Sequence, residues 1–440
     1  MFQTSRALIA GILALGAVSV AQAQKPVYAH FMVGIVENYT LEDWKVDINQ
    51  AKEIGIDGFA LNCAPPRVDA YTPKQLALAY AAAQELEFKM FISFDFAYWS
   101  TGDTQLITEM VGNYSSHAAQ AYYNEGAIVS TFVGDNMDWN AVKNALPNSK
   151  ITALPMIQDP AWIPHANTGL DGAFSWYAWA TDGGNSVIPG PMTTIWDDRF
   201  LQGLGDKPYM ARKYLSNYVK LKEPLVDWFT AVSPWFFTHF NTKNWVFICE
   251  EQPTHRWEQM LEMKPALVEI ISWNDFGESH YISGSQPNHS DDGSSAWASG
   301  FPHDAWRSLM KPYIAAYKAG AGTPTVESDQ LVYWFRPHPK DAVCSADTLG
   351  APRGKELLAD VVFVTTMLTE AGELTVTSGS NSPVTVNAEA GIHTFNFTMG
   401  VGAQDFRVKR GGANLLGGTS EKKIDAACEH FNYNPYVGSF

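Results

Sequence analysis

The sequence carries little positive charge for its length. Its 440 residues include 30 Lys and Arg against 46 Asp and Glu, which gives a formal net charge of −16 at pH 7. A protein that binds nucleic acid needs a basic face to contact phosphate groups, so this balance argues against a nucleic-acid partner. A neutral or cationic small molecule or polymer is a better match for an acidic protein.

Several motifs of common enzyme classes are also missing from the sequence. No G-x-S-x-G segment is present, which argues against a typical α/β-hydrolase. No H-E-x-x-H or C-x-x-C segment is present, so a metal site would need ligands from distant positions. No G-x-G-x-x-G follows the first predicted strand, which argues against dinucleotide binding. We therefore predict no metal and no cofactor.

Long apolar runs are rare, and the clearest one lies at the N-terminus. The run from Ala7 to Val20 follows Arg6 and precedes Ala21-Gln22-Ala23, as in a signal peptide with an A-x-A cleavage site. It is too short for a membrane anchor, and no later stretch reaches the length of a spanning helix. We expect a signal peptide over residues 1–23 and a secreted, extracellular or cell-wall monomer with no membrane partner. Sequons that fit glycosylation begin at Asn38, Asn113, Asn288 and Asn396.

Cysteine is scarce, with four residues in the whole chain. Cys344 and Cys428 both lie in the C-terminal region, where a disulfide between them could stabilise a small domain. Cys63 and Cys249 each follow an apolar run that reads as a strand. Buried free thiols and a second disulfide are both compatible with those two positions.

From Val27 to about Lys318, short apolar runs alternate with amphipathic helical segments. Thr40 and Asp43 predict the start of the first of these helices. Several runs are apolar on both faces, as parallel strands covered by helices are. About eight such repeats fit a (β/α)₈ TIM-type barrel better than an open doubly wound sheet. The fold class is therefore α/β, with a catalytic barrel predicted over residues 24–322.

The pattern changes after the linker-like stretch at residues 320–324. Short β-rich segments follow, separated by Gly, Ser and Asn, and they predict a C-terminal antiparallel β-sandwich domain over residues 323–440. Residues 212–230 fit the barrel pattern poorly, and we interpret them as a surface excursion.

Acidic residues are frequent just after the predicted barrel strands. The carboxyl ends of barrel strands converge on one face, which we call the mouth. Each acid alone is more often a turn former or a solvated carboxylate, but together they indicate an acidic cleft. We predict that Asp95, Asp135 and Asp159 contact the substrate. The other strand-end acids are Glu37, Asp182, Glu250 and Glu251.

Asp275 and Glu278 follow the last apolar run of the barrel, with Gly277 between them. A buried strand cannot hold unpaired charges cheaply, so we expect both carboxylates just beyond the strand end, facing one cavity. Two carboxyls in different environments can be held in different protonation states, and glycosidic bond cleavage requires that division. The structural alternative is an Asx turn followed by an acid at a helix N-terminus.

Tryptophan is abundant, with 15 residues, and several flank the predicted strand ends. Flat aromatic rings can stack on the apolar faces of sugars. We predict that Trp235 and Trp273 contact substrate in this way, together with Asn274 and His280. Core packing is the alternative for any single Trp, and a structural hydrogen bond is the alternative for a lone His, including His30 and His239.

Five segments carry a resemblance to a known family: "AHFMVG" (29–34), "YTLEDWKVDINQAKEIGIDGFALN" (39–62), "SFDF" (93–96), "VSPWFFTHF" (232–240) and "VEIISWNDFGESHYI" (268–282). They closely resemble glycoside hydrolase family 71, the fungal endo-α-1,3-glucanases or mutanases. The resemblance implies a (β/α)₈ catalytic domain with an appended β-sandwich. It also implies hydrolysis of α-1,3-glucan with inversion, and Asp275 and Glu278 as the catalytic pair. Residues 212–230 and "FICEEQPTHRWEQ" (247–259) depart from the family pattern.

The resulting hypothesis is a secreted α-1,3-glucanase that works by a single inverting displacement. Asp275 is assigned as the general base that activates water and Glu278 as the general acid. Both roles are proton transfers by side chains, so no cofactor is needed. Two alternatives stay open: a related retaining or mannan-directed barrel glycosidase, and a glucan-binding wall protein without activity.

Overall fold

The computed structural model describes residues 25–166, 168–204 and 228–440. The predicted signal peptide and most of the 212–230 segment lie outside these residues. The described helices are α1 Leu41–Glu53, α2 Thr72–Glu85, α3 Thr104–Tyr114, α4 Trp139–Ala145, α5 Ile195–Leu204, α6 Gln252–Met263, α7 Ser295–Ala298 and α8 Asp304–Ala319.

The strands of the first part of the chain are β1 Val27–Met32, β2 Gly58–Cys63, β3 Lys89–Asp95, β4 Tyr122–Tyr123, β5 Gly126–Phe132, β6 Ile151–Pro155, β7 Ala173–Ser175, β8 Trp228–Val232, β9 Phe237–Phe240, β10 Lys243–Val246 and β11 Leu267–Ile270. The later strands are β12 Gln330–Phe335, β13 Val361–Leu368, β14 Gly372–Ser378, β15 Val384–Ala388, β16 Gly391–Thr398, β17 Gln404–Arg410, β18 Ala413–Thr419 and β19 Tyr436–Ser439.

The first part of the chain forms one curled, mostly parallel sheet. Its strand order is β4-β5-β3-β2-β1-β11-β8-β7, with β6 also paired to β5. All of these pairs are parallel except the one between β4 and β5. An isolated parallel bridge joins Met156 to Phe174, beyond β6 and within β7, so the two edges of the sheet approach each other. The mixed α/β architecture is confirmed, and closure as a full (β/α)₈ barrel remains a prediction.

Several strands and helices form where their residue patterns predict them, whereas the apolar run at 244–251 contributes to the separate β9–β10 hairpin and not to the parallel sheet. Every residue of β2 is buried, as expected for a parallel strand with apolar side chains on both faces. The first helix begins after Thr40, whose side chain accepts a hydrogen bond from the Asp43 amide while the Asp43 carboxylate accepts one from the Thr40 amide. The predicted start of α1 is therefore confirmed. Trp44, Ile48 and Ala51 on one face of α1 pack into the core.

The last part of the chain forms two four-stranded antiparallel sheets. Their orders are β16-β13-β12-β19 and β15-β14-β17-β18. The preceding helix α8 ends at Ala319, and Gly320 adopts the left-handed conformation that commonly ends helices. The antiparallel β character predicted for this region is confirmed.

Strand β12 packs on both of its faces. Leu331, Tyr333 and Phe335 belong to the core between the two antiparallel sheets. Val332 and Trp334 point the opposite way and belong to the core of the first sheet and its helices. The Trp334 indole also donates a hydrogen bond of 3.0 Å to the Glu250 carbonyl. The C-terminal sheets are therefore joined to the rest of the chain by continuous packing as well as by the linker.

The states of the four cysteines agree with two interpretations made from the sequence. Cys344 and Cys428 form a disulfide, which confirms that pairing. Cys63 and Cys249 are free and buried, which agrees with the free-thiol interpretation. In the part of the chain that the structure describes, no helix has the length and apolar character needed to cross a membrane.

Candidate active site

The chain turns sharply after β11 and brings the carboxylates of Asp275 and Glu278 to the strand end. The Asp275 amide donates to the Ser272 hydroxyl at 2.8 Å, and the Asp275 carboxylate accepts from the Glu278 amide at 2.9 Å. A Cβ at Gly277 would lie 2.9 Å from the Asp292 carboxylate and 3.2 Å from the Phe240 ring, so the turn is closely packed at this glycine. The Asp275 side chain therefore bonds a backbone amide of its own turn, as the structural interpretation expects, and the cavity shared by both carboxylates remains a prediction.

Glu278 lies at the centre of a polar cluster. One of its carboxylate oxygens is 2.9 Å from the Lys243 ammonium, and the other is 3.1 Å from Nε2 of His280. The same His280 nitrogen lies 3.8 Å from the Asp275 carboxylate. His280 is fully buried, while both carboxylate side chains keep 17% of their surface exposed. A ligand at the mouth could therefore reach both carboxylates.

The two carboxylates have opposite electrostatic environments. Burial raises the pKa of Asp275 to about 6, the charge of Glu278 acts in the same direction, and His280 and Lys243 oppose it. Burial also acts to raise the pKa of Glu278. Its hydrogen bonds and charge interactions with His280 and Lys243 outweigh that effect and hold this pKa below its usual range. At mildly acidic pH, Asp275 is therefore protonated and Glu278 ionised, the combination that an acid and base pair requires.

Lys243 is a member of this polar cluster that the sequence analysis missed. It begins β10, which forms a separate two-stranded antiparallel sheet with β9. The charge of Glu278 raises the pKa of Lys243, so the ammonium stays charged beside the carboxylate. Lys243 lies 35 positions before Glu278, so no local sequence pattern indicates that the two residues are in contact. Only the tertiary approach of β9–β10 to the β11 turn creates the pair.

Asp95 interacts electrostatically with Lys243 and Glu278. It ends β3, is 7% exposed and accepts a hydrogen bond of 2.9 Å from the Ala97 amide. Burial raises its pKa, while the charges of His30 and Lys243 oppose that rise and the charge of Glu278 adds to it. Three residues later, the Tyr98 side chain is 53% exposed. Tyr98 also interacts electrostatically with Lys243, so an accessible aromatic ring lies near the carboxylate pair.

His30 and Glu269 form a second polar pair inside the curled sheet. His30 Nδ1 lies 2.8 Å from the Glu269 carboxylate, and both side chains are nearly inaccessible to solvent. The Trp176 ring meets the His30 ring edge-on with centroids 4.8 Å apart. The hydrogen-bonded structural interpretation of His30 agrees with this arrangement.

Three of the other predicted acids accept hydrogen bonds from backbone amides. The Asp135 carboxylate accepts from the Gln158 amide at 3.1 Å, and Asp159 accepts from the Ala161 amide at 2.9 Å. Glu250 accepts from the Ala359 amide at 2.9 Å, so this carboxylate contacts the C-terminal sheets. The predicted substrate contacts of Asp135 and Asp159 remain predictions.

Trp235, Trp273 and Asn274 occupy positions that differ from the predicted ones. Trp235 is 1% exposed and donates its indole N–H to the Tyr433 carbonyl at 2.9 Å, while Trp273 is 0% exposed. This burial contradicts the predicted stacking of both rings on sugars, because neither face is available. The Asn274 amide bonds the Met32 backbone at 2.7 and 3.1 Å, which ties the end of β1 to the β11 turn. Trp273 ends an apolar run, and that position could have indicated core packing.

Asp275, Glu278 and His280 are the group at this site that could in principle hold a metal ion. One donor atom from each lies within 4.8 Å of the others. The Lys243 ammonium, 2.9 Å from Glu278, already satisfies one of these carboxylates with positive charge. The donor set therefore fits proton transfer better than a cation site.

The Lys243–Glu278 contact predicts a measurable coupling. The Lys243→Met variant removes the ammonium and should raise the pKa of Glu278, because burial would then be less opposed. We expect the carboxyl of Glu278, followed by NMR of ¹³C-labelled glutamate, to titrate at higher pH than in the parent protein. Lys45→Met is a matched control, because Lys45 pairs with Glu42 and Glu85 on the surface. An unchanged Glu278 titration in Lys243→Met would contradict the coupling.

Comparison with known proteins places the chain in a family. Residues 23–440 match the family model described as Glycosyl hydrolase family 71. A mutanase of Penicillium rubens is 58% identical over 419 residues, which cover 94% of this chain and 88% of that protein. A glucan endo-1,3-α-glucosidase of Schizosaccharomyces pombe is 35% identical over 439 residues, 96% of each chain. An ascus wall endo-1,3-α-glucanase of the same yeast is 29% identical over 414 residues, 88% of each chain. The match spans nearly the whole sequence, so the chain is a glycoside hydrolase and belongs to glycoside hydrolase family 71.

Proposed function

We propose that this glycoside hydrolase cleaves α-1,3-glucan at the mouth formed around Asp275 and Glu278. The observation that carries the proposal is the carboxylate pair at the end of β11, one carboxyl raised in pKa and the other lowered. The names of the family relatives supply the substrate class, since they are mutanases or endo-1,3-α-glucanases. A neutral polysaccharide also suits a chain with net charge −16 better than an anionic one.

The direct test is release of reducing sugar from a panel of insoluble α-1,3-glucan, β-1,3-glucan, mixed-linkage glucan and mannan. Release from α-1,3-glucan alone supports the proposal. Release from mannan or a β-glucan would instead support a related barrel glycosidase. Binding of α-1,3-glucan without sugar release would support a wall-binding protein.

The electrostatics favour Asp275 as the acid and Glu278 as the ionised partner, which reverses the roles assigned from the sequence. Burial and the neighbouring negative charge favour the protonated form of Asp275, so it can donate a proton to the leaving oxygen. The hydrogen bond from Lys243 and the contact with His280 stabilise the carboxylate form of Glu278. That carboxylate can activate water or attack the sugar carbon.

The stereochemical course has two candidates. The family resemblance favours inversion, for which carboxyl groups typically lie about 6.5–9.5 Å apart to leave room for water. Here one oxygen of each carboxylate lies within 4.8 Å of the other, which is shorter than that range and favours a retaining arrangement. Inversion would need a base farther from Asp275, and Asp95 is the nearby carboxylate on another strand.

The anomer formed first separates these candidates. Time-resolved NMR of a soluble α-1,3-oligosaccharide should show β product first under inversion, and α product first under retention. We expect retention if the described separation persists when substrate is bound, with Glu278 as nucleophile. First-formed β product would contradict that assignment and would favour a base other than Glu278.

We also propose the wider organisation that the sequence predicts. The curled sheet and its Met156–Phe174 bridge support a closed (β/α)₈ barrel over residues 24–322, followed by a β-sandwich over residues 323–440. The apolar run before Ala21-Gln22-Ala23 supports secretion, and an ascus wall relative supports an extracellular or wall location. A monomer without metal or cofactor remains the predicted state.

Substitution of the pair tests its catalytic role. Asp275→Asn and Glu278→Gln should each keep the fold and glucan binding and lower turnover by about 10² to 10⁴-fold, the usual contribution of a proton-transfer group. Loss of the acid should matter least on substrates with an activated leaving group. Asp291→Asn is a control, because Asp291 also accepts backbone hydrogen bonds in a turn but is exposed. Near-normal turnover with lowered stability would instead assign the altered carboxylate a purely structural role.

The acid assignment also predicts the pH dependence of the reaction. Asp275 must be protonated to act, and its pKa is about 6, so turnover should fall as pH rises through that value. The decline approaches tenfold per pH unit, because the protonated fraction falls by about that factor. Glu278 must stay ionised, and its lowered pKa leaves the acidic limit well below that of an ordinary glutamate. The measurement is kcat/KM across the acidic and neutral range, and a profile that stays flat above neutrality would contradict the assignment.

A further inference from the structure

We propose that Asp347, in the C-terminal β region, is a positioning residue for the active site. It holds His239, and through His239 it fixes the β9–β10 hairpin that presents Lys243 to Glu278. This inference rests on the proposed function, because it concerns the same carboxylate pair.

The hairpin needs support from outside its own strands. Strands β9 and β10 pair only with each other among the described sheets, so no sheet ladder holds the hairpin against the barrel. The Phe237 amide donates to the Glu278 carbonyl at 3.0 Å, which attaches β9 to the active-site turn. The Lys243 side chain is 51% exposed, so its own packing does not fix the ammonium at Glu278.

His239, on strand β9, contacts two polar side chains at once. His239 Nε2 lies 2.7 Å from the Asp347 carboxylate, and His239 Nδ1 lies 2.8 Å from the side-chain oxygen of Asn244. The side chains of His239 and Asp347 are only 8% and 2% exposed. Asn244 pairs with His239 across the hairpin and directly follows Lys243. Asp347 is therefore connected to the side chain of Asn244, the residue after Lys243, by two consecutive hydrogen bonds.

The residues shortly after Asp347 make further hydrogen bonds with strand β10 of the hairpin. The Asn244 side chain donates to the Gly350 carbonyl at 3.1 Å. The Arg353 amide donates to the Asn244 carbonyl at 3.2 Å, and the Val246 amide donates to the Arg353 carbonyl at 3.0 Å. These backbone contacts supply the strand partner that β10 otherwise lacks.

Asp347 is itself held rigidly. Its carboxylate accepts from the amides of Leu349 and Gly350, each at 2.9 Å, and from the amide of Phe431 at 2.8 Å. The disulfide Cys344–Cys428 lies three residues before both Asp347 and Phe431, so it joins the two segments that meet at this carboxylate. Burial acts to raise the pKa of Asp347, but these hydrogen bonds and His239 outweigh it and lower the pKa. The residue is therefore an ionised acceptor in a preformed loop.

The test is the Asp347→Asn variant, which keeps an oxygen for the amides of Leu349 and Gly350 and removes the charged oxygen that faces His239 and the Phe431 amide. We expect kcat on α-1,3-glucan to fall by about 10-fold to 100-fold, the effect of a small misplacement of catalytic groups. The acidic limb of the pH profile should also move to higher pH, because a displaced Lys243 lowers the pKa of Glu278 less. The charged or titratable groups acting on Glu278 are Lys243, His280, Asp275 and Asp95.

Asp329→Asn is the matched control. Asp329 is also a C-terminal aspartate that pairs with a cation, Arg410, and accepts a backbone hydrogen bond, from Thr369. It lies on the edge of β12 and has no contact with the hairpin in the structure described. We expect Asp329→Asn to lower the melting temperature while kcat per folded molecule and the pH profile stay unchanged.

A double-mutant cycle with Lys243→Met decides whether Asp347 acts through Lys243. If it does, Asp347→Asn should add little to the loss in kcat already caused by Lys243→Met. Fully additive losses, or an unshifted acidic limb in Asp347→Asn, would overturn the inference. If Asp347→Asn fails to fold, His239→Gln interrupts the same path and must show the same non-additivity with Lys243→Met. A parent protein that releases no sugar from α-1,3-glucan would refute the proposed function, whereas an active parent with an unaffected Asp347→Asn refutes only this inference.

Discussion

The ion pair between Lys243 and Glu278 is the interaction on which the proposed active site depends. Two carboxylates within 4.8 Å in a largely buried turn repel each other, and burial disfavours the charged form of both. The two carboxylates differ in protonation. The 2.9 Å contact with Lys243 and the hydrogen bond to His280 keep Glu278 ionised, while Asp275 takes the proton. The asymmetry needed for acid and base chemistry therefore comes from a cation placed on one side of the pair.

Much of the fold is visible in the sequence because its signals are local. Continuous apolar runs mark the parallel strands, and the Thr40–Asp43 capping box marks the start of α1. The turn around Gly277 is local as well, so the two carboxylates could be placed at a strand end from the sequence. The bridge between Cys344 and Cys428 was predictable because both cysteines lie in one compact region.

The remaining features of the site come from contacts between distant segments. Lys243 reaches Glu278 only because the β9–β10 hairpin folds over the β11 turn, and nothing near Lys243 in the sequence reports this. Tryptophan side chains can stack on sugars, but Trp235 and Trp273 are buried in the tertiary structure and pack in the core. The separation of the two carboxylates depends on turn geometry and rotamers, so the residue spacing alone could not distinguish inversion from retention.

The C-terminal region packs against the first sheet and contacts the β9–β10 hairpin. Beyond Ala319, the exposed large apolar side chains of the described residues are aliphatic, namely Val343, Leu357, Val384, Val401 and Leu415. Sugar-binding surfaces commonly present aromatic faces, and the exposed ring near the carboxylate pair belongs to Tyr98 in the loop after β3. A buried polar contact of 2.7 Å between Asp347 and His239 joins the C-terminal region to the hairpin that carries Lys243. The packing of Trp334 and this hydrogen-bonded path together make the position of Lys243 depend on both parts of the chain.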